Sequence, residues 1–345
     1  MSATLRKIAI EAGVAESTVS RALSGHGAIA EETRLRIRDI ANQLGYSRSK
    51  HTLRETGERR GIVGVVVAAL HNSFYTNLIE RIHDELDTLG FDMILIIDDL
   101  SNTASLRKMQ GLIDSSLDGV LLATASIKSP SVDLLLSKRI PTVLAIRSNR
   151  AGNVDVVESD NLAAGSEAIR HLIDLGHRRI GFLMGQRNLS TSLDRFDGAC
   201  RELQAKGLTP DAANVIWGSY SHDSGYSGLV QLMNLPQPPS ALFCGNDVIA
   251  IGALEACQKL GINIPGDLSI MGVDDIPMAG WSMIALTTIR QPIDNIGALA
   301  ARRLVDRIEG RADETPSLDI LPTSIVRRRT TGPAAKDADK TGLPH

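Results

Sequence analysis

From residue 61 onward, short runs of β-branched and apolar residues alternate with longer amphipathic stretches. Short apolar runs predict β-strands, and the longer amphipathic stretches predict helices. An apolar run such as Ile62–Val67 has no polar face for water, so both faces must be covered, as in a parallel sheet with helices on either side. The predicted strands are Ile62–Val67, Asp92–Ile97, Gly119–Ala123, Thr142–Ile146, Ile180–Met184, Ala241–Cys244 and Leu268–Val273.

Glycines mark the expected ends of four helices in the same region. Glycine adopts the left-handed conformation that commonly follows a helix. Alternating strand and helix units over about 265 residues exceed what one sheet usually holds, so we expect two doubly wound, parallel-sheet α/β lobes within residues 61–330. The expected helix-ending glycines are Gly90, Gly176, Gly207 and Gly261.

The first 47 residues have helical periodicity and little strand signal. Three apolar stripes recur at the spacing of a helix face, which predicts an all-α domain. The first two stripes are joined by residues 12–15, where Gly13 permits the positive φ of a sharp turn. We therefore predict a helix-turn-helix within residues 1–47. The stripes are Leu5, Ile8, Ala9 and Ala12, then Val19, Ala22 and Leu23, then Ile37, Ile40, Ala41 and Leu44.

Two segments lack any apolar periodicity. Residues 48–60 are rich in charge and predict a hinge or linker, and residues 331–345 are small and polar and predict a disordered tail. Charge is also distributed unevenly, because residues 1–60 carry a net +4 and the remaining 285 residues carry −7. This asymmetry favours a polyanionic partner for the N-terminal domain alone.

Composition excludes several other classes of protein. Hydrophobic residues make up 43% and charged residues 22% of the chain, as in globular proteins. The longest apolar run, Ile62–Leu70, is about half of what a membrane helix needs, and we identify no secretion signal. Cys200, Cys244 and Cys257 have no CxxC or CxxH spacing. We therefore expect reduced thiols in a cytoplasmic chain, with no disulfide, metal site or cofactor and no contact with a membrane.

Four motifs resemble segments of one known family. Residues 4–23 (TLRKIAIEAGVAESTVSRAL) are similar to the DNA-binding domain of the lactose/galactose-repressor (LacI/GalR) family. Residues 171–181 (HLIDLGHRRIG) resemble its linker into a central strand, residues 195–198 (RFDG) its pocket helix, and residues 286–292 (LTTIRQP) its crossover between lobes. The resemblance runs from about residue 3 to 330. It implies a helix-turn-helix domain, a hinge, and a periplasmic-binding-protein-like body with a small-molecule site between two lobes.

The resemblance assigns DNA contacts to the second helix. A helix in this position enters the major groove and presents its N-terminal side chains to the base edges. Arginine can pair bidentately with guanine, and glutamate can accept from the cytosine amino group. Hydroxyl side chains would bind phosphates and position the domain. The implied base-reading residues are Glu16, Ser17 and Arg21, and the implied phosphate-binding residues are Thr4, Thr18, Ser20 and Ser24. The alternative is that these are merely exposed polar residues of a small helical bundle.

The sequence departs from the family at two places. Ala15 stands where a capping serine is common, and loss of such a cap typically costs about 1 kcal/mol. The hinge departs further, because the family's alanine and leucine positions hold Thr52 and Glu55, and Leu53 is out of register. A wedge in the minor groove needs an apolar side chain. Either Leu53 serves in a shifted hinge, or this chain bends the centre of its operator less.

The resemblance also implies a set of effector-binding residues. Carboxylates and guanidinium groups pair with adjacent hydroxyl groups, and an aromatic ring covers the apolar face of a sugar. This chemistry suits a sugar, and Arg147 adds a hint of an anionic ligand such as a sugar acid or phosphate. The implied residues are Phe74, Tyr75 and Arg147 from the first lobe, with Asp160, Thr191, Arg195, Tyr220, Asn246 and Asp274 from the second.

Several of these residues have a structural alternative. Asp160 could cap the helix that begins at the next residue, and Arg147 could pair with Asp160. Asp274 could be an ordinary turn residue at a strand end, and Tyr220 could lie at the surface. Arg195 could brace its own lobe through a neighbouring carboxylate, either Asp194 or Asp197.

The predicted function is a sequence-specific transcriptional regulator, a repressor controlled by a small sugar or sugar-acid effector. One domain reads few base pairs, so specificity implies a homodimer on a palindromic double-stranded operator. The alternative is a solute-binding protein of transport or chemotaxis with the same two-lobe body, and the N-terminal helix-turn-helix argues against it. An enzyme is disfavoured because the GxSxG, HExxH, P-loop and GxGxxG motifs are absent. The residues leave open whether the effector releases or promotes DNA binding.

Overall fold

The computed structural model describes residues 5–24, 30–43, 60–70, 72–98 and 103–334. The chain divides into two compact units, Met1–Arg60 and Gly61–His345. This division falls at the end of the predicted linker. Linker residues 48–59, which include Leu53, lie outside the described residues, as do Thr4 and residues 335–345 of the predicted tail.

The N-terminal unit is all-α in its described part, as the sequence predicts. Its helices are α1 (Leu5–Ala12), α2 (Glu16–Ser24) and α3 (Glu31–Gln43). Their apolar stripes meet in one small core, since an isolated short helix needs such packing to be stable. The buried core side chains are Ile8, Ala9, Ala12, Val19, Ala22, Ile37 and Ala41.

A tight turn of residues 13–15 joins α1 to α2. Gly13 has a φ of +65°, which confirms the predicted left-handed position. The Val14 N–H donates to the Ala9 carbonyl at 3.1 Å, and Arg36 of α3 donates to the Ala12 carbonyl at 3.2 Å. The carbonyl of Ala15 accepts from the N–H groups of the first turn of α2. Backbone and side-chain hydrogen bonds thus fix the turn without a capping serine at Ala15.

The second unit is built from alternating strands and helices. Its strands are β1 (Ile62–Val67), β2 (Asp92–Ile97), β3 (Gly119–Leu122), β4 (Thr142–Ala145), β5 (Asp155–Ser159), β6 (Ile180–Met184), β7 (Val215–Trp217), β8 (Ala241–Cys244), β9 (Ser269–Asp274), β10 (Thr287–Arg290), β11 (Leu318–Leu321) and β12 (Ser324–Val326). Its helices are α4 (Ser73–Thr88), α5 (Thr103–Ser116), α6 (Pro130–Ser137), α7 (Asn161–Asp174), α8 (Ser190–Ala205), α9 (His222–Met233), α10 (Asp247–Leu260) and α11 (Ile293–Glu309). Among the described residues, no helix is both long and apolar enough to cross a membrane.

The strands form two six-stranded sheets, which confirms the two α/β lobes. The first sheet has the order β11-β5-β4-β3-β1-β2 and the second β12-β10-β9-β8-β6-β7. The strand pairs are parallel except β10 with β12, which is antiparallel. The chain crosses between lobes after β5, after β10 and between β11 and β12.

All seven predicted strands form, with ends that shift by one residue at three of them. Five strands were not predicted: β5, β7, β10, β11 and β12. Strand β7 has only three residues and β11 lies at a sheet edge, where Leu318 and Ile320 remain exposed. Short or edge strands carry a weak periodic signal, because few of their side chains are buried on both faces.

The glycines expected to end helices all have a positive φ, between 70° and 93°. Each lies directly after a helix or one residue beyond its cap, as expected for the αL stop. These glycines are Gly90, Gly176, Gly207 and Gly261.

The chain beyond residue 330 is ordered further than the sequence predicts. His177, buried at the start of the second lobe, lies 3.1 Å from the Gly332 carbonyl through Nε2. The Ala334 N–H donates to the Leu175 carbonyl at 2.8 Å, and Thr331 contacts His171. Placing the start of the disordered tail at residue 331 is therefore wrong for residues 331–334, because hydrogen bonds to the second lobe hold them.

Helices α7 and α8 of the second lobe pack unusually closely through two glycines. A Cβ on Gly165 would lie 1.9 Å from the Arg195 carbonyl oxygen, and one on Gly198 would lie 2.0 Å from the Leu162 carbonyl oxygen. Both obstructing atoms are backbone, so no side chain can move aside. The lobe therefore depends on the absence of a side chain at these positions.

Gly165→Ala should force α7 and α8 apart and lower the free energy of unfolding by about 1–3 kcal/mol or more. Gly111→Ala in α5 is the matched control, because a Cβ there meets nothing within 4 Å. That control should be neutral or stabilising by up to about 1 kcal/mol. Urea unfolding of both variants measures the difference, and equal stabilities would show that the lobe relaxes around the added methyl group.

Candidate functional site

The second helix of the N-terminal unit presents a polar face opposite its buried one. Val19 and Ala22 are fully buried in the three-helix core. At 100° per residue, positions 17, 21 and 24 fall on the opposite side of α2. Glu16 and Ser17 are exposed and Thr18 is half-buried. The side chains of Ser20, Arg21 and Ser24 are outside the described set, so these residues are placed by their position on the helix alone.

The principal cavity of the second unit lies between the two lobes and has a volume of about 560 Å³. Eight of the nine predicted effector residues line it. They come from segments that follow the carboxyl ends of strands in both sheets, which is where open α/β sheets bind ligands. The eight are Phe74, Tyr75, Arg147, Thr191, Arg195, Tyr220, Asn246 and Asp274.

The first lobe contributes an aromatic pair and a cation. Phe74 and Tyr75 lie in the first turn of α4, which Asn72 caps by accepting from the Phe74 N–H at 3.0 Å. Arg147 follows β4 and donates to the Tyr75 hydroxyl at 3.0 Å. Its guanidinium carbon lies 5.9 Å from the ring centroid of Tyr220, which belongs to the second lobe. Arg147 therefore joins aromatic residues of both lobes rather than pairing with Asp160.

Arg195 is almost completely buried in the wall of the second lobe, at 3% exposure. Its Nε donates to the Asn161 side chain at 2.9 Å, and its Nη1 donates to the Gly245 carbonyl at 2.5 Å. Nη1 also lies 3.8 Å from the Asp274 carboxylate. The residue therefore does brace its own lobe, although through these three groups and not through Asp194 or Asp197.

Asp274 lies at the end of β9 in a strained conformation. Its φ is +131°, outside the range that a non-glycine residue normally adopts, and such strain typically costs about 1–3 kcal/mol. Gln291 donates to its carboxylate at 2.6 Å and accepts from the Ser159 hydroxyl at 2.7 Å. Burial raises the pKa of Asp274 to about 6, while Arg195 and the hydrogen bond from Gln291 oppose that rise. The surrounding structure thus holds a partly charged acceptor at the cavity.

The remaining second-lobe residues form a hydroxyl-rich wall. The hydroxyl of Tyr220 accepts from Ser192 at 2.8 Å and lies 3.3 Å from the hydroxyl of Thr191. Asn246 is 3% exposed and caps α10 by accepting from the Ile249 N–H at 3.0 Å. Asn246 is also part of the cavity lining.

Asp160 is the predicted effector residue that the cavity does not include. Its carboxylate accepts from the Ala163 N–H at 2.8 Å and caps α7. Placing it in the effector site is therefore not supported by the geometry, because the orphan N–H groups of the first helical turn engage its side chain. Its neighbour Asn161 instead reaches the site indirectly, by accepting the hydrogen bond from Arg195.

Several polar lining residues were not predicted from the sequence. They share one feature, since most follow the carboxyl ends of strands that the sequence did predict. That position was a usable signal, because the ends of parallel strands meet at one edge of each sheet. These residues are Asn72, Thr124, Ser126, Lys128, Ser129, Ser131, Gln186, Asn188, Ser219, Ser221 and Gln291. Within the described residues, no group of three His, Cys, Asp or Glu side chains is placed to hold a metal ion.

A second feature spans the lobes beside the cavity. Arg150 of the first lobe forms an ion pair with Asp194 of α8. Glu158 on β5 is 8% exposed, and its Oε2 has no hydrogen-bond partner among the described atoms. Burial, the charge of Asp194 and that of Asp160 raise the pKa of Glu158 to about 7, while Arg150 lowers it. Arg150 thus serves two carboxyl groups, and the more deeply buried of them, Glu158, stays protonated at acidic pH.

Glu158→Gln should remove a pH dependence of stability. A carboxyl group whose pKa is raised on folding binds more protons in the native state, so its contribution is complete below about pH 4.5 and is lost as the pH rises through 7. The variant should match the wild type at pH 5 and exceed its free energy of unfolding at pH 8, by at most about 3 kcal/mol.

Urea unfolding at both pH values measures this difference. Glu80→Gln, at an exposed position of α4, controls for the loss of one carboxylate and should leave the profile unchanged. Parallel pH profiles of wild type and Glu158→Gln would contradict the assignment.

Comparison with known proteins agrees with both units. The profile described as "Bacterial regulatory proteins, lacI family" matches residues 4–49, and that of a "Periplasmic binding protein-like domain" matches residues 169–331. The HTH-type transcriptional regulator DegA of Bacillus subtilis (strain 168) is 30% identical over 336 residues, which cover 96% of this chain and 99% of DegA. Catabolite control protein A of Priestia megaterium is 28% identical over 332 residues, covering 96% of this chain and all of that protein.

Solved structures give the same result. A structure described as a transcriptional regulator CelR–cellobiose complex superposes with a TM-score of 0.74 at 27% identity, covering 95% of this chain and 99% of CelR. The lac repressor dimer bound to operator and an anti-inducer has a TM-score of 0.79 at 22% identity, over 96% of this chain and all of that one, and supports the fold alone. The matches include the N-terminal domain and are to regulators, which disfavours a transport solute-binding protein. The chain belongs to the lacI family of bacterial regulatory proteins and is a DNA-binding transcriptional regulator.

Proposed function

We propose that the protein is a cytoplasmic repressor whose affinity for a palindromic operator is changed by a sugar or sugar acid bound between its lobes. The observation that carries the proposal is the cavity itself, because polar side chains of both lobes line one cleft. Arg147 and Tyr75 come from one side, and Arg195, Asp274 and Tyr220 come from the other. A ligand that contacts the side chains of both lobes stabilises one relative arrangement of the lobes.

The lobes meet beside the cavity through a few polar contacts. The Ile127 N–H donates to the Asn188 carbonyl at 2.9 Å, and the Ser148 N–H donates to the Ser190 hydroxyl at 3.0 Å. A ligand can shift the balance between lobe arrangements only by its difference in affinity for them. Cross-lobe hydrogen bonds of the ligand supply that difference, and the arrangement of the lobes is the property through which ligand binding changes DNA affinity. We infer binding and not catalysis as the role of this site.

The chemistry of the lining supports a polyhydroxylated ligand. The charged groups of Asp274 and Arg195 can hydrogen-bond to adjacent hydroxyl groups of a ligand. Tyr220 and Phe74 offer aromatic surface for the apolar face of a sugar. One relative, CelR, is described in complex with cellobiose, a sugar. PurR of Proteus mirabilis, 28% identical over 328 residues, is named as a repressor. These relatives support the class of activity, and the effector of this chain follows from its own lining.

We propose that the protein acts as a homodimer. One helix-turn-helix reads few base pairs, so a two-fold operator needs two copies. In the second lobe, Trp281 and Met283 lie two positions apart and are 58% and 97% exposed. A second copy of the chain that covers this pair would remove apolar surface from water.

Arg21→Ala should weaken binding to the operator by about 1–3 kcal/mol and binding to random DNA much less. The operator is first selected from a pool of random duplexes with the wild-type protein. Arg21→Lys is the matched control, because it keeps the charge and loses the bidentate geometry that reads guanine. Fluorescence anisotropy on both DNAs measures the two affinities.

Equal losses on operator and random DNA would make Arg21 a phosphate contact and not a base contact. A duplex with one half-site should bind far more weakly than the symmetric site, and sedimentation of the full chain tests the dimer directly. A monomer that binds the half-site as tightly as the whole operator would contradict the homodimer.

Arg147→Ala and Arg195→Ala separate binding of the effector from bracing of the lobe. A ligand found by thermal shift among sugars and sugar acids should add about 2.7 kcal/mol of stability at 100 times its Kd. Arg147→Ala should lower ligand affinity about ten- to hundredfold and leave the unliganded protein nearly as stable, because its described hydrogen bond goes to Tyr75 alone.

Arg195→Ala should lower both ligand affinity and stability, the latter by about 3–5 kcal/mol, because Asp274 loses its ion-pair partner and the Asn161 side-chain oxygen loses its donor. Calorimetric titration and urea unfolding of both variants decide the assignment. Unchanged ligand affinity in both variants would remove these residues from the effector site, and a ligand that binds without altering operator affinity would contradict its role as effector.

A further inference from the structure

The first-lobe wall of the cavity contains a group of polar residues that the sugar chemistry described above does not use. Thr124 and Ser126 follow β3, and Lys128, Ser129 and Ser131 surround the first turn of α6. All five line the cavity. Because β3 and β4 are neighbours in the sheet, the segment after β3 lies beside Arg147, which follows β4.

The start of α6 leaves one backbone donor, the Ser131 N–H, without a described acceptor. Pro130 has no N–H, and the N–H groups of Val132 and Asp133 donate to the Ser129 carbonyl at 3.0 and 3.2 Å. The N–H groups of a first helical turn have no intrahelical partner and favour an anion. Ser129, at the N-cap position, makes no side-chain hydrogen bond to a backbone N–H of this turn. Its hydroxyl lies 2.9 Å from the hydroxyl of Ser131. Both serines are more than nine-tenths buried, at 7% and 4% exposure. Asp133, in the same turn, is exposed and is not part of the lining.

Thr124 gives an independent indication of a ligand. It is 8% exposed and lines the cavity, yet its Oγ1 has no hydrogen-bond partner in the described structure. A buried hydroxyl without a partner costs roughly 1–3 kcal/mol, so proteins rarely leave one unsatisfied away from a site that uses it.

The charge of the cavity lining also favours an anionic ligand. Its described members include three cations, Lys128, Arg147 and Arg195, and one carboxylate, Asp274. Asp274 lies within ion-pair distance of Arg195, and its charge also interacts with that of Arg147, so one carboxylate faces three cations and the lining keeps a net positive charge. This positive surface occurs in a body that carries a net −7. A positive cavity in an acidic protein attracts small anions more strongly than it attracts neutral sugars.

We propose that Lys128, Thr124, Ser129 and Ser131, with Arg147 beside them, form an anion subsite, and that the effector carries a phosphate or carboxylate group bound there. The inference rests on the proposed effector site and narrows its ligand to an anionic sugar derivative. The hydroxyl groups and the Ser131 N–H donate to the anionic oxygens, while Lys128 and Arg147 supply opposite charge from the same lobe.

Inorganic phosphate and acetate are the direct probes, each compared with sodium chloride at equal ionic strength. Phosphate or acetate should raise the melting temperature of the full-length protein in the millimolar range. Lys128→Gln should weaken that binding about tenfold or more. Lys138→Gln at the opposite end of α6 is the matched control, since it removes the same charge from an exposed position of the same helix, and it should bind as the wild type does.

A second arm compares neutral hexoses, hexuronates and hexose phosphates on the same variants by calorimetric titration. Preference for hexose phosphates identifies the group as phosphate, and preference for hexuronates identifies it as carboxylate, with the affinity dependent on Lys128 in both cases. Probe binding that is absent, or equal in wild type and Lys128→Gln, overturns the subsite. A neutral hexose that binds equally to both variants and alters operator affinity overturns the subsite while leaving the proposed repressor function intact.

Discussion

A buried chain of polar contacts joins the cavity between the lobes to the segments that connect them. Ser159 at the end of β5 donates to Gln291 after β10, Gln291 donates to Asp274, and Asp274 lies 3.8 Å from Arg195. Ser159 and Gln291 sit where the chain crosses from one lobe to the other. Because buried polar groups must keep their partners, a ligand that engages Arg195 or Asp274 acts on the same network that orders two crossings.

Buried carboxyl groups in and beside this network explain why several residues donate hydrogen bonds there. Burial raises the pKa values of Asp274 and of the fully buried Asp247, and the charge of Asp274 raises the pKa of Asp247 further. Thr288 and the Ile276 N–H donate to Asp247 at 2.5 and 3.0 Å, while Gln291 serves Asp274. Such hydrogen bonds offset desolvation. The carboxyl ends of the strands in the second sheet thus carry polar groups whose positions are fixed by hydrogen bonds within the lobe.

The sequence predicted the architecture well because the relevant signals are local. Apolar runs as long as Ile62–Val67 can only be strands covered on both faces, and glycines such as Gly90 end helices through a conformation that other residues avoid. Of the missed strands, β7, β11 and β12 lie at sheet edges. Strands β5 and β10 are buried inside their sheets, but polar residues such as Glu158 and Thr288 interrupt their apolar runs. The ordered residues 331–334 were also missed, since what holds them is His177, a partner more than 150 positions away in the sequence.

The site was harder to predict, because a polar side chain can either line the cavity or hydrogen-bond elsewhere in the protein, and the sequence does not show which. Asp160 and Asn246 both cap helices, yet only Asn246 also lines the cavity. Asp194 was considered as a brace for Arg195, its neighbour in sequence, but it pairs with Arg150 of the other lobe. Of the nine effector residues that the family resemblance implies, eight line the cavity. Lys128, Ser129 and Ser131 could have been predicted from their position after the carboxyl end of a strand, where any open parallel sheet binds ligands.

The polar contacts that join the lobes beside the cavity set a scale for the regulation that this fold can support. Beside the cavity the lobes are linked by the Ile127–Asn188 and Ser148–Ser190 hydrogen bonds and the half-exposed Arg150–Asp194 ion pair. Neutral hydrogen bonds contribute about 0.5–1.5 kcal/mol each, and exposed ion pairs contribute about 1 kcal/mol or less. Reversing a 1:99 equilibrium needs about 5.5 kcal/mol of differential binding. A ligand with two or three charge-assisted contacts across the cavity can supply that amount, because each contributes about 1.5–3 kcal/mol. A ligand that bridges the lobes can therefore compete with the polar contacts that join them directly beside the cavity.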